Sequence, residues 1–267
     1  MPDPKYRQIA SDLQRRIETG EWPAGTRLPP EPKLEGEYEA SRNTIRDAVK
    51  WLSTRGLVST QPGRGTFVNE KIRPFITTLS ADQETGLGGG EGVAFVREAE
   101  LQLMVPVTST PKVEIQQAAG DTAEELGIEE GTTLISRHQQ RYIDDRPYSL
   151  QTSFYPMSLV ERGAMQLLQA VSILPGTVNY LEETLGIKQA GYRDVIRVRP
   201  ANATEMTFFK LPDDGSVAIL ETLRTAYDGE GGPFRLTVSV FPADRNHFTI
   251  YVGEVPAKVA NPWDTTG

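Results

Sequence analysis

The stretch from Ser41 to Val68 constrains this chain more than any other part of it. Ser41 is a good helix N-cap, and Ile45, Ala48, Val49 and Leu52 fall at i, i+3, i+4 and i+7, which predicts a helix with one continuous apolar stripe. After Gly56, residues 57–61 and 66–68 read as two short strands around Pro62, Gly63, Arg64 and Gly65, a hairpin with an arginine near its tip. Upstream, Ile9, Leu13 and Ile17 recur every four residues until Gly20, predicting a first helix that ends near Thr19. A turn-rich run from Trp22 to Pro30 leads into a short helix over residues 31–38 with Leu34 inward, and a tight turn through Glu39 and Ala40 follows. Helix, short helix, turn, capped helix and hairpin is the order of a winged helix-turn-helix, whose third helix has the width a DNA major groove admits.

Side chains off the apolar stripe carry that expectation further. Arg42 and Arg46 are four residues apart and share a helix face, where they can reach guanine edges or phosphates, and Asn43 near the helix start can pair with a base. Arg64 lies between two glycines that let its backbone approach closely, so at a wing tip it can enter an adjacent minor groove. A basic helix face alone is ordinarily a solvated face. Here it coincides with a wing and with segregated charge. Residues 1–75 hold 13 Lys and Arg against 10 Asp and Glu, a surplus of +3; the remainder holds 15 against 26, or −11, and together they make the net −8. A mildly basic head can approach phosphates while an acidic body resists non-specific adhesion.

The 267 residues fit two domains of unequal size. We expect a DNA-binding domain over residues 1–75, a polar, glycine-dense linker over 76–93, a second domain over 94–255 and a tail over 256–267. No apolar run approaches the roughly 20 residues that cross a bilayer, and no apolar leader is visible, so a soluble, cytoplasmic protein without membrane contact is expected. Cysteine is absent and the two histidines, His138 and His247, are far apart in sequence, which supplies metal sites and His-based triads poorly; no metal, cofactor or catalytic residue is expected.

Beyond the linker, β-rich stretches at residues 98–105, 134–142, 148–155, 191–198, 217–227, 234–241 and 248–252 read as strands. Helices are expected at 122–126, within 159–171, at 178–185 and at 203–209. Hairpin punctuation at residues 144–147 and 228–233 favours antiparallel pairing, hence an α+β domain.

The run LPPEPKLEGEYEASRNTIRDAVKWLSTRGLVSTQPGRGTFV resembles the DNA-binding domain of the GntR family of bacterial regulators, with its Leu-Pro start to helix two, Ser-Arg-x-Thr-x-Arg recognition helix and Gly-x-Gly-Thr wing. The resemblance implies DNA contact by Ser41, Arg42, Asn43, Thr44, Arg46, Gly63 and Arg64. Pro32 stands where family members often carry an arginine. The later stretches AEELGIEEGTTLISRHQQRYIDDRPYSLQTSFYP and PFRLTVSVFPADR resemble the UTRA effector domain of the HutC-type branch, which implies a chorismate-lyase-like fold and a small metabolite as effector. Its pocket positions fall on Gln139, Arg141, Gln151, Ser153, Arg235 and Phe241. Arg235 replaces an acidic residue of some members and Gln139 the first arginine of a common Arg-x-Arg pair, which disfavours a sugar phosphate. Arg141 and Arg235 are forks suited to a carboxylate or phosphate, although a surface or ion-paired arginine is the commoner case.

The expected function is sequence-specific transcription regulation by a homodimer on a pseudo-palindromic double-stranded operator, most simply a repressor modulated by the effector. Two alternatives stay open: a second domain that only dimerises, and a lyase-like enzyme, since fold does not fix function.

Overall fold

A computed structural model describes residues 4–69, 73–79, 92–212 and 215–252. The chain divides into two compact units, Met1–Arg73 with Lys210–Val217, and the rest. In the first, α1 (Lys5–Glu18), α2 (Glu31–Tyr38) and α3 (Arg42–Thr54) precede the antiparallel hairpin β1 (Val58–Gln61) and β2 (Gly65–Val68). The expected apolar stripe is the buried face of α3: Ile45, Ala48 and Leu52 pack with Ile9, Ala10 and Leu13 of α1, Leu34 of α2, and Val58 and Val68 of the hairpin. Ser41 caps α3 by accepting from the Thr44 amide at 3.3 Å. The turn before it depends on Glu39, a non-glycine residue at φ 46°. Residues 25–28 extend the wing, with the Leu28 amide donating to the Thr66 carbonyl and the Val68 amide to that of Thr26.

The second unit opens with β3 (Phe75–Thr78) and α4 (Gly92–Leu101), continues through β4 (Pro106–Thr108), β5 (Lys112–Gln117) and α5 (Asp121–Leu126), and reaches the long hairpin β6 (Thr133–Ile143) and β7 (Arg146–Pro156). Then come α6 (Ser158–Glu161), a 3-10 turn at Met165–Leu168, α7 (Thr177–Leu185), β8 (Gln189–Pro200), α8 (Ala203–Phe209), β9 (Ala218–Asp228), β10 (Pro233–Pro242) and β11 (Asn246–Thr249). Seven strands form one antiparallel sheet in the order β4, β6, β7, β10, β9, β8, with β5 also on β6. β11 pairs with β3 in parallel.

Both faces of the central strands are covered. One is apolar, with Leu134, Leu223 and Leu236 packed beneath Ala123 and Leu126 of α5. The other changes character along its length. At one end Ile135, Tyr155 and Ala226 meet Leu159, Leu167 and Leu181; at the other Tyr148 and Phe241 meet Phe75 of β3 and Phe95 of α4. Between these apolar ends the buried residues are polar.

Several expectations need correction. Residues 98–105, read as a strand from the alternation of Leu101, Leu103 and Val105, hold the end of α4 and a turn in which Leu103 takes φ 55°. Those three side chains are exposed, whereas Phe95 and Ala99, one helical turn apart, are buried together with Gln102 and Met104. Residues 76–78, placed in the linker, belong to β3. β5 was not foreseen, the expected helix within 159–171 is interrupted near Gly163, and the 248–252 strand begins at Asn246 and ends at Thr249. The tail over 256–267 lies outside the described residues.

The β6–β7 hairpin closes through Asp144 and Asp145 at φ 49° and 61°, the two left-handed positions of a type I′ turn. Asp144 is committed, since its Oδ1 accepts from the Val105 amide at 2.8 Å. Asp145→Gly is therefore expected to stabilise the second unit by about 0.5–1 kcal/mol. Thermal unfolding followed by circular dichroism checks this, with a raised midpoint as the expected result.

Candidate nucleic-acid interface and polar sheet face

On the first unit, burying Ile45, Ala48 and Leu52 leaves Arg42, Asn43, Arg46 and Lys50 exposed on the opposite side of α3. Ser41 and Thr44, whose hydroxyls lie 2.8 Å apart, stand at the helix N-terminus, where the helix dipole favours a phosphate. Arg42 and Arg46 are held by one carboxylate: Arg42 Nε donates to Glu31 Oε2 at 2.9 Å, and Arg46 Nε to Oε1 and Oε2 at 3.1 and 3.2 Å. The Arg42 guanidinium beside Glu31 keeps its carboxyl below the usual carboxylate range. Glu31 engages both arginines through Nε, and both side chains stay more than half exposed. Sequence reasoning missed Glu31, although Leu-Pro-x-Glu marks it as the first residue of α2, the helix that packs against α3.

At the wing tip Arg64 is exposed, between Gly63 at φ 71° and Gly65 at φ 115°. Gly65 has a second constraint, because a Cβ there would overlap Nε of Arg27, whose side chain crosses the hairpin. Arg27, unnoticed in the sequence, thus supports the wing from the adjoining segment, where it bridges to Phe67.

On the second unit, strand register places the polar residues on one sheet face. Arg137, Gln139 and Arg141 of β6 pair with Ser153, Gln151 and Ser149 of β7. Ser153 and Gln151 pair onward with Thr237 and Ser239 of β10, and these with Arg224 and Thr222 of β9. Directly paired residues share a face, so these form one belt across four strands. Four guanidinium groups lie within or beside it, Arg137, Arg141, Arg224 and Arg235, each only 4–6% exposed. The surface reading of Arg141 and Arg235 is thereby overturned.

Each buried guanidinium meets acceptors or aromatic faces, as its desolvation requires. Arg137 donates to the carbonyls of Leu167, Gln169 and Val171 at 2.6–2.9 Å, which makes it a structural tie for the loop after α6. Arg224 is bidentate to Asp194 of β8 at 2.6 and 2.7 Å and lies 3.8 Å from the centre of the Tyr192 ring. Arg141 sits 4.8 Å from the centre of the Phe95 ring, and Arg235 Nη2 donates to Gln189 Oε1 at 3.2 Å. Two buried acceptors in the belt, Gln151 Oε1 and Ser149 Oγ, have no hydrogen-bond partner among the described residues. An uncompensated buried polar atom is costly, so such a pair marks a place for a ligand or water.

Comparison with known proteins decides the lineage. Residues 5–68 match the model of bacterial regulatory proteins of the gntR family, and residues 102–247, more than half the chain, match the UTRA domain. The uncharacterised HTH-type transcriptional regulator RB1450 of Rhizobium meliloti is 31% identical over 250 residues, 90% of this chain and 91% of its own. The chain belongs to the gntR family. The HTH-type transcriptional repressor NagR of Bacillus subtilis is 23% identical across 94% of this chain and 96% of its own. A solved structure assigned to GntR-family transcriptional regulators superposes with a TM-score of 0.66 at 23% identity, covering 95% of this chain and 99% of that one, which supports the shared fold.

This gntR-family member is accordingly a DNA-binding transcription regulator with an effector domain, not an enzyme. The helix-turn-helix and wing supply the first function, and the α+β second unit is the UTRA domain. Of the six positions expected in its pocket, Arg141, Gln151, Ser153 and Arg235 are in or beside the buried belt. Gln139 is half-buried at its edge, donating to the Ser109 carbonyl at 3.1 Å. Phe241 belongs to the aromatic end, with ring centres 5.6 Å from Tyr148 and 5.1 Å from Phe248. Missed were Ser149, Thr222, Arg224, Thr237 and Ser239, whose signal is a polar residue at every second position, clearest in β10, where Leu236, Val238 and Val240 alternate with them.

Replacing Gly65 by alanine should force Arg27 off the wing and impose a strained φ, destabilising the first unit by about 1–3 kcal/mol. Chemical denaturation followed by tryptophan fluorescence, to which Trp22 and Trp51 of this unit contribute, reads this; an unchanged midpoint would remove Gly65 as the determinant of wing geometry.

Proposed function

We propose that the protein is a cytoplasmic, homodimeric repressor of the HutC-type branch. Each α3 enters a major groove of a pseudo-palindromic operator, and an effector bound in the polar belt modulates operator affinity. On this reading the DNA-binding domain lies within 1–75 and the effector domain runs to 255, with residues 76–78 of β3 and the start of α4 falling inside the 76–93 segment expected as linker. Ser41 and Thr44 take a phosphate, Arg42, Asn43 and Arg46 read base edges, and Gly63 and Arg64 bring the wing to the neighbouring minor groove.

The observation that carries the reading is the shared grip of Glu31 on Arg42 and Arg46. A carboxylate that fixes two forks through Nε presets the Nη edges for bidentate donation to guanine O6 and N7, and lowers the ordering cost on binding. The repressor sign is supported by the name of NagR, and the homodimer by the exposed apolar side chains of Leu101, Leu103, Val105 and Val107 along α4 and β4. Gln139, Arg141, Gln151, Ser153 and Arg235 line the effector site, with Phe241 as its aromatic wall. Buried guanidinium forks beside hydroxyls and an amide suit an oxyanion, a carboxylate or a phosphate.

Arg46→Ala tests the DNA half. It is expected to cost about 1–3 kcal/mol of operator binding, roughly fivefold to more than hundredfold, while the second unit stays folded. Arg64→Ala should weaken binding to all sequences alike and reduce the dependence of log affinity on log salt by about one. Gel-shift titrations on operator and scrambled DNA at several salt concentrations separate the two. Full operator affinity in Arg46→Ala would contradict the recognition-helix assignment.

A further inference from the structure

β3 is the first strand after the DNA-binding unit, and its two edges are bonded in different ways. Toward β11 the amides of Phe75 and Leu79 donate to the carbonyls of Arg245 and Thr249. On the other edge side chains of α4 and of Gln102 just past it replace a strand. Gln102 clasps Ile76, accepting from its amide at 2.9 Å and donating to its carbonyl at 2.8 Å, and Glu98, one turn earlier, accepts from the Thr78 amide through Oε1 at 2.6 Å. Glu98 Oε2 is buried without a hydrogen-bond partner among the described residues. Phe95, on the same side of α4, covers Arg141, so this side of the helix faces the arginine belt.

We propose that Glu98 is an internal anion of the belt, alongside the Asp194 carboxylate that Arg224 already holds, and the latch of β3. An oxyanionic effector entering beside Arg141 and Arg224 takes over that role and loosens the grip of Glu98 on the Thr78 backbone. The inference rests on the belt being the effector site. Its physical basis is competition for one positive field: two anions in a buried site repel, and the cheaper outcome is that one becomes neutral by taking a proton from solvent. Burial already pushes the Glu98 carboxyl up to about 7, against the pull of the Thr78 bonds and of Arg224 and Arg141. Among the described residues, the neighbouring titratable groups are Tyr148 of β7, held protonated by burial, and on β8 Asp194, which is paired with Arg224, and Tyr192, whose hydroxyl donates to the Leu79 carbonyl. β3 and β4 contribute none, and His247 of β11 is exposed. Once neutral, Glu98 is a weaker acceptor for the Thr78 amide, and the strand leading from the DNA-binding unit loses part of one edge.

Sulfate is a suitable probe because its charge does not change near neutrality. Its affinity for the full-length protein would be measured by calorimetry at constant ionic strength from about pH 6 to about pH 9. The site favours sulfate with protonated Glu98, so affinity should fall by up to about tenfold per pH unit above neutrality. Glu98→Gln, which keeps an oxygen for the Thr78 amide, should bind sulfate at about pH 9 nearly as well as the wild type does at about pH 6. Amide exchange in Phe75–Leu79 should rise when sulfate binds to the wild type. Sulfate binding that Arg141→Ala abolishes, but whose pH profile is the same in Glu98→Gln as in the wild type, would overturn the role of Glu98 and leave the effector site standing. Absence of sulfate binding at every pH, or binding indifferent to Arg141→Ala, would overturn the oxyanion site and the inference with it.

Discussion

A guanidinium group cannot be buried in a β-sheet unless something meets its charge, and the effector unit is organised around that constraint. Arg137 is met by backbone carbonyls, Arg224 by Asp194 and Tyr192, and Arg141 by the face of Phe95. These partners come from the loop after α6, from β8 and from α4, so charge compensation ties the peripheral elements to the polar stretch of the sheet. The apolar ends on either side exclude water and strengthen every interaction in the belt. A sheet built for stability alone would carry leucine and valine at Thr222, Arg224, Thr237 and Ser239. Retaining polar groups there makes sense for a surface that must recognise something polar.

The first unit solves the opposite problem, presenting charge outward on a rigid base. One apolar stripe on α3 fixes the helix against α1 and the hairpin, and Glu31 fixes two of its arginines. Packing and a single carboxylate thereby set both the axis of the helix and the direction of its side chains. Chain connectivity links the two units through β3, whose free edge is read by Gln102 and Glu98. The part of the effector unit that first follows the DNA-binding unit is also held by a carboxylate on which Arg224 and Arg141 of the belt act.

Much of the first unit was legible in the sequence because its signals are local. The Ser41 cap, the 3- and 4-residue spacing of Ile45, Ala48, Val49 and Leu52, and the glycines around Arg64 each act within a few residues. In the second unit the long strands were legible from alternation, but alternation misled at residues 98–105, where Leu101 and Leu103 are exposed while Ala99, Gln102 and Met104 are buried. The parallel pairing of β3 with β11 was not legible, since it joins segments about 170 residues apart in sequence. The belt was half legible: the resemblance gave Arg141, Gln151, Ser153 and Arg235, while Thr222 and Arg224 enter it only through register with β10. Glu98 was hidden altogether, because its role depends on a helix the sequence pattern did not suggest.

The central claim is that this chain reads a specific DNA site as a symmetric regulator. Selection of genomic fragments by the purified protein, followed by footprinting of the recovered DNA at stated salt, tests it most directly. The account predicts a protected site with two-fold sequence symmetry, its half-sites separated by about 10 base pairs or a multiple of that. Retention of DNA without sequence preference, falling away with salt alone, would contradict it.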